Sequence, residues 1–424
     1  MNLKRSFVLF VSLLFLNLLS AEGKILTIED AVRLAKENNI SVKKAENDLD
    51  SLAVQNKYSW NSVSPAAKLD GKFVDDIDDS TSLSLSGAVS LSLKTNLYSE
   101  IKGAKLNYEK GLLTYSEAVR QIELSVRKKF YNLIYQKENL VLQNRSLETS
   151  RAQYLNNEEK FKNGKISELD AFTSRVNYES KKPVVESAEI NFQNDLASFK
   201  QLLGISQETE IALDGSLDDF LNLKEISFGL LPKVDEPAPD VKSAEYDVEI
   251  AKNSLLNLRF SAYAPVITGS YTYGKSKKSM QDDWMTTNQL SVGISVPLDG
   301  ILPWSSSAVK IKEQKNALDT AEKVLEDAKT TVAVQTESYI RKINQAVKQL
   351  DSLKSTEKLA EQTYKMTLTA YNYGKTDFLS LQNANDSVLS AGVNLKSQAY
   401  TLISTILDLE SVLGLEFGTL ETKK

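Results

Sequence analysis

Leu83-Ser84-Leu85-Ser86-Gly87-Ala88-Val89-Ser90-Leu91-Ser92-Leu93 decides the fold. Odd positions are apolar or Gly, and even positions are Ser or Ala. An extended chain points successive side chains to opposite faces, so this stretch offers one face to an apolar medium and one to water. Residues 289–298 (QLSVGISVPL) repeat the pattern with the apolar set on even positions. A second alternating run precedes each. Leu69, Gly71 and Phe73 stand against Lys68, Asp70 and Lys72; Ile267, Gly269, Tyr271 and Tyr273 stand against Thr268, Ser270 and Thr272. Two β-hairpins follow, 66–94 and 265–298, turning through polar loops at 75–80 and 275–283. Alternation arises most often in a sheet with one face on a soluble core. Here the sequence supplies no second sheet or short amphipathic helix as a cover, and strands of about 10 residues suit a tilted membrane strand.

The hairpins belong to an internal duplication. Lys162-Asn163-Gly164-Lys165 returns as Asn372-Tyr373-Gly374-Lys375, and Leu202-Leu203-Gly204-Ile205 returns as Val412-Leu413-Gly414-Leu415. The offset is the same for both, 374 − 164 and 414 − 204. Val42-Lys43-Lys44-Ala45-Glu46 likewise returns as Val241-Lys242-Ser243-Ala244-Glu245. A long internal period means one supersecondary unit used twice. The organisation expected is a signal peptide over 1–21, a first repeat over 22–212, a crossover or equatorial segment over 213–238, and a second repeat over 239–424.

Between the hairpins lie unusually long helical patterns. From about 99 to 160 there is no Pro, and Val119, Ile122, Val126, Phe130, Leu133, Leu140 and Leu147 recur at coiled-coil spacing. The copy, from 305 to about 371, carries Leu318, Ala321, Leu325, Ala328, Val332, Tyr339, Ile343, Ala346, Leu350 and Leu353. Each would reach roughly 90–100 Å at 1.5 Å per residue. Each ends at a Gly, Gly164 or Gly374, suited to a left-handed residue after a helix. Return helices follow over 167–203 and 377–413, and two feeder helices over 28–63 and 239–262 lead into the strands. Thr27 with Asp30 reads as a capping box.

Composition narrows the function. The chain has 424 residues, a formal charge of −5, no His and no Cys. The slight acidity and the lack of a basic stripe give no reason to expect nucleic acid. Without His or Cys, the usual catalytic triads and zinc sites are excluded, and no disulfide can staple the fold. Lys4 and Arg5, then an apolar run over 7–19, then Ser20-Ala21, read as a secretory leader. No catalytic or metal-binding residue and no cofactor is expected.

Four membrane strands cannot close a barrel. Open sheet edges in hydrocarbon leave backbone groups unpaired at several kcal/mol each, and the smallest usual barrel has eight strands. The protomer must therefore associate. Ser at alternate positions suits a wet lumen, and association gives the helical seams partners.

Thr27-Ile28-Glu29-Asp30-Ala31-Val32-x-Leu34-Ala35-x-x-Asn38-Asn39, Pro65 and Pro265 ahead of the strands, Ser295-Val296-Pro297-Leu298-Asp299-Gly300, and both Gly-Lys tips resemble the TolC-type outer-membrane efflux proteins. The resemblance covers nearly the whole chain after the leader. It implies a mostly α protein with transmembrane β-strands, whose homotrimer closes a twelve-stranded outer-membrane barrel continuous with a periplasmic α-helical tube. It implies a passive exit duct for efflux or type I secretion, lipid around the barrel, and a membrane-fusion adaptor and inner-membrane pump as partners. On the family pattern Phe161, Gly164, Lys165, Gly374 and Lys375 mark the tip and adaptor contact, while Asp170, Tyr371, Asp377, Ser380 and Asn383 stand at the gate or constriction. Ser380 and Asn383 occupy positions where an acidic ring would be expected. Asp377 reads more simply as a helix cap. A periplasmic coiled-coil adaptor or spacer with a soluble β-domain is the other reading. Two helical hairpins and two matched strand pairs per chain speak against it, and a carboxylate-based enzyme lacks a paired acidic motif in any strand-end or loop context.

Overall fold

The computed structural model describes residues 24–76, 80–221, 223, 237–279 and 282–420. The leader at 1–21 and most of the crossover lie outside the described residues. In chain order the elements are β1 (Lys24–Leu26), α1 (Ile28–Asn38), α2 (Ile40–Lys57), β2 (Ala66–Asp76), β3 (Ser80–Lys94), α3 (Leu97–Lys162), α4 (Glu168–Leu203), β4 (Ile211–Leu213), α5 (Pro239–Tyr263), β5 (Val266–Lys277), β6 (Met285–Ser295), α6 (Ser306–Asn372) and α7 (Phe378–Leu413). The chain divides into two compact units, and each takes elements from both repeats.

The first unit holds 118–236 and 333–420 together with the N-terminal segment up to Lys43. Its dry core joins Val126, Phe130, Leu133 and Ile134 of α3, Phe199 and Leu203 of α4, Ile343 and Leu350 of α6, and Leu395, Leu402, Ile403 and Ile406 of α7. Phe130 meets Tyr131 edge-on and leans on Phe199, and Tyr131 meets Phe220. Thr27 caps α1 by accepting from the Asp30 N–H, and its hydroxyl donates to the Asp30 carboxylate at 3.0 Å. Asn39 interrupts the feeder helix, dividing α1 from α2. Its amide donates to the Leu202 carbonyl at 2.7 Å, and its Oδ1 accepts from the Ser41 N–H. That junction is tight because Gly204, at φ +69°, ends α4 against it. A Cβ at Gly204 would lie 2.7 Å from the Asn38 carbonyl oxygen.

Two small elements here differ from the sequence reading. β1 pairs parallel with β4, Lys24 opposite Ile211 and Leu26 opposite Leu213, so a strand lies just before the crossover segment and its partner just before the first helix. Three-residue strands carry too little periodicity to register in sequence. The C-terminal tail is clasped as well. The buried Glu410 carboxylate accepts from the Gly418 and Leu420 N–H groups at 3.0 and 2.7 Å, and Arg120 lies over the Phe417 ring at 4.8 Å.

The second unit holds 44–117 and 237–332. Its sheet runs β2-β3-β5-β6, every neighbour antiparallel. Asn96 bonds Asn257 at 2.9 Å and Asn253 bonds the Ser99 carbonyl at 2.8 Å, tying α3 to α5 where both meet the strands. Gly111 admits Leu52 of α2 so closely that a Cβ would lie 2.5 Å from it. In α6 the residues 318, 321, 325, 328 and 332 form one half-buried stripe. The last strand starts at Met285 and stops at Ser295, earlier at both ends than the alternation at 289–298 suggests. Pro297 has no N–H to give a ladder, which closes the strand before it.

Candidate functional site

Two regions carry functional chemistry, one in each unit. The first is the sheet. In antiparallel pairing, directly opposed residues share a face, so the register sorts the side chains into rows. Leu93, Ile267 and Ile294 form one row, Leu91, Gly269 and Val292 the next, and Ala67, Val89, Tyr271 and Leu290 the third. Leu69, Gly87 and Tyr273 continue it with Asn288, followed by Gly71 and Leu85 with Lys275 and Thr286, then Phe73 and Leu83 with Lys277, so this face is apolar at one end of the strands and turns polar on β5 and β6 toward the other. The opposite face is polar: Ser90, Ser270 and Ser291; Asp70, Ser86 and Thr287; Ser92 and Thr268; Lys68, Thr272 and Gln289. The apolar face is bare. Leu290, Val292 and Ile294 are 75, 76 and 72% exposed among the described residues. β2 and β6 have free outer edges within the sheet. Among the described residues no helix is long and apolar enough to cross a membrane.

The second region is the pair of helical tips in the first unit. α3 and α6 both end in Schellman turns. The Lys165 N–H reaches the Lys160 carbonyl at 2.8 Å and the Lys375 N–H reaches Ala370 at 2.9 Å. Gly164 and Gly374 have φ of +67° and +69°, a left-handed conformation that favours Gly. A Cβ at either would meet nothing within 4 Å, so the backbone angle and not space demands these glycines. Ser167 caps α4 and Asp377 caps α7, each accepting from the N–H three residues on.

Each residue singled out in the sequence can now be placed. Phe161, Lys165 and Lys375 are exposed at the turns. Asp377 accepts from the Ser380 N–H at 2.7 Å, and the Ser380 bonds hold its carboxyl below the usual range. Asp170 lies in the first turn of α4. Its N–H donates to Ser167 Oγ at 3.1 Å and its carboxylate accepts from that hydroxyl at 2.8 Å, so it is engaged with the N-cap residue of its own helix. Asn383 is exposed one turn past Ser380. Tyr371 is the best anchored of the set: its hydroxyl donates to Asn157 Oδ1 at 2.6 Å, Lys160 Nζ sits 4.6 Å from its ring centroid, and Phe378 packs against it. Burial pushes the Tyr371 phenol above its ordinary pKa, the Asn157 bond opposes that, and the Asp170 charge adds to it.

Asn157 and Lys160 were not evident from sequence. They continue a seam that changes character along α3. Val126, Phe130 and Leu133 are buried near the core; closer to the tip the buried positions are Ser146, Ser150, Gln153 and Asn157. Leu147, expected in that seam, is only half-buried. A straight helix drifts about 20° per heptad from a 3.5 repeat, which rotates Ser146 into its place. Around the polar seam, Lys181 bonds Ser146 at 2.8 Å and Asp386 at 2.7 Å, Asn385 reaches Ser146, and Asn177 reaches Ser150. Gln153 Oε1 and Asn157 Nδ2 are buried without a hydrogen-bond partner. Each such group costs about 1–3 kcal/mol while it lacks a partner.

Residues 230–415 match the family described as outer membrane efflux protein. No curated protein sequence matches the chain. Among solved structures, the chain is similar to the Campylobacter jejuni CmeC outer membrane channel at 18% identity and a TM-score of 0.77, covering 94% of this chain and 87% of that one. It is similar to the outer membrane protein VceC of Vibrio cholerae at 14% identity and a TM-score of 0.71, covering 92% and 96%. The open state of the Neisseria gonorrhoeae MtrE outer membrane channel aligns at 18% identity and a TM-score of 0.70, covering 92% and 89%. Identities this low carry the fold. The fold shared with these channels extends over more than nine-tenths of the chain.

Proposed function

We propose that this TolC-like chain is the outer-membrane channel of a tripartite efflux or type I secretion system, a passive exit duct without catalysis. The observation that carries the reading is the sheet: aligned apolar rows on one face, hydroxyl-rich rows on the other, and two open edges. In water the apolar face is a large unexplained patch; in a bilayer it is the required surface. The open edges are intolerable in hydrocarbon and are resolved only by pairing β6 of one copy with β2 of the next. Three copies give a barrel of about twelve strands, wide enough for a wet lumen lined by the Ser and Thr rows. The similar proteins are channels rather than enzymes, in keeping with a chain that has neither His nor Cys.

The α3–α4 and α6–α7 hairpins extend this duct into the periplasm and dock a membrane-fusion adaptor driven by an inner-membrane pump. Gly164, Gly374, Phe161, Lys165 and Lys375 form the docking tip. Tyr371, Asp170, Asp377, Ser380 and Asn383 stand at the constriction, with Tyr371 bonded to Asn157 as the closed-state latch. Opening is a shear of helix pairs along the polar seam, where partners can be exchanged at low cost. Conductance of the purified protein in a planar bilayer tests the reading. Discrete channels that enlarge in the Tyr371→Phe variant support it; protein that extracts from membranes with carbonate and forms no channel would favour the adaptor or spacer instead.

A further inference from the structure

One patch of the sheet departs from the pattern of its own face. Along β5 the residues on that face run Ile267, Gly269, Tyr271, Tyr273, Lys275 and Lys277. Lys275 stands directly opposite Leu85 and Lys277 directly opposite Leu83, so both ammonium groups occupy rows that β2 and β3 fill with Leu83, Leu85 and Phe73. Trp284, just ahead of β6, carries the same alternation one step further, and Lys277 Nζ lies 5.5 Å from its ring centroid.

The two charges are not neutralised within the face. Lys275 and Lys277 make no ion pair with any described residue. Asp75 lies one row further out on β2 and accepts from the Thr81 hydroxyl at 2.9 Å, while Asp282 and Asp283 are exposed in the turn. Counted from the prolines ahead of the strands, Lys275 and Asp75 are equivalent positions, 275 − 265 and 75 − 65. The cationic patch therefore belongs to the second hairpin and is not a general feature of the sheet.

Its place along the strands is specific as well. Val266 follows α5 and Lys94 precedes α3 by three residues each, so the helices leave from one end of the sheet and the lysines stand at the other. Tyr271 and Tyr273, 45 and 47% exposed, come before them. From Tyr273 to Lys277 the strand advances about 13 Å at 3.3 Å per residue. Aromatic rings favour the boundary between hydrocarbon and water, and a lysine lays its stem on apolar surface while carrying its charge outward. An ammonium group level with Leu83 and Leu85 is unfavourable in hydrocarbon alone, and an anion beside it offsets that cost.

We infer, on the channel reading, that Lys275 and Lys277 hold the phosphate of an anionic lipid headgroup in the leaflet farther from the helices, with Trp284 beside it and the acyl chains lying on Leu83, Leu85 and Phe73. Two residues apart on one strand face, the lysines are rooted about 7 Å from each other, a spacing their flexible stems can close onto a single phosphate. The occupant is a lipid because the lysines share their rows with apolar side chains that a free phosphate would leave bare.

The test uses the full chain in nanodiscs of zwitterionic phosphatidylcholine, with or without diphosphoryl lipid A. Exposed amines are acetylated, and the rate at each Lys is read by peptide mass spectrometry. Lys275 and Lys277 should react about ten-fold more slowly with lipid A present, the value of one charge-assisted hydrogen bond. Lys72, exposed at the same height on the polar face opposite Ser84, should not change. Inorganic phosphate added to phosphatidylcholine discs should protect neither lysine. No protection, equal protection of Lys72, or equal protection by inorganic phosphate would overturn the inference. Lys275→Arg with Lys277→Arg should keep lipid A through detergent washing, and Lys275→Gln with Lys277→Gln should lose it; equal retention by the two pairs would also overturn it. Protein that enters the discs without protection loses the headgroup site alone. Protein that enters no disc and stays soluble without detergent removes the channel reading too.

Discussion

Val292→Lys distinguishes a lipid-facing sheet from a solvated one. Val292 is the middle of the three apolar residues at the end of β6, between Leu290 and Ile294, and its row continues through Gly269 and Leu91. It is 76% exposed in the single chain. If water bathes that face, a Lys there changes stability by no more than about 0.5 kcal/mol, as exposed substitutions usually do. If lipid does, Lys near the midplane costs about 2–4 kcal/mol per copy. In a ring of three that amounts to roughly 6–12 kcal/mol, enough to abolish assembly at ordinary expression levels. Ser291→Lys, one residue away on the polar face, is the matched control with the same charge and strand position. The assay is the amount of heat-resistant oligomer in the outer-membrane fraction, with a urea titration of whatever assembles in vesicles. Val292→Lys should lose most of the oligomer while Ser291→Lys keeps it. Equal behaviour of the two variants would refute the assignment of faces.

At the helical tip, Tyr371→Phe removes the hydroxyl that Asn157 accepts from, and leaving that oxygen buried and unpaired costs about 1–3 kcal/mol; amide exchange over 150–160 and 365–375 should accelerate, and unchanged protection would count against a latch. Gly204→Ala should destabilise far more than Gly374→Ala in chemical unfolding. Both have positive φ, worth about 1–2 kcal/mol for a side chain, but only at Gly204 does the new Cβ meet the Asn38 backbone. Equal losses would show that the junction can yield. The depressed Asp377 carboxyl adds stability to the start of α7 that is present above its ordinary pKa and disappears as pH falls through the lower folded value. Protection factors at the first turn of α7 should therefore drop in that acid range. Asp377→Asn, which keeps a capping oxygen, should remove the pH dependence; persistence of the acid transition in that variant would place its origin elsewhere.

The sequence was most legible where periodicity runs long. The alternation at 83–93 and the repeated tips at Gly164 and Gly374 gave the strands, the long helices and the turns, because their signals extend over many residues or require a special backbone angle. Pro183 shows the limit of local rules. It would ordinarily end a helix, yet α4 passes through it on an exposed face. The β1–β4 pair is three residues long and rests on partners almost two hundred residues apart, so nothing local announces it. At the tip, Asp377 caps α7 and Asp170 is bonded to Ser167, the cap of α4, before any role at a constriction is needed, and Tyr371 could be singled out but its partner could not. Asn157 gains its position from the drift of a straight helix against a heptad repeat, a property of geometry that the list of apolar residues conceals.

The subunit count of the detergent-solubilised particle by native mass measurement tests the central claim most directly. A sheet that faces lipid and is sealed by sharing its edges predicts more than one chain per particle, three for the proposed twelve-stranded barrel, and loss of solubility when detergent is withdrawn. A single chain per particle, freely soluble without detergent, would contradict it.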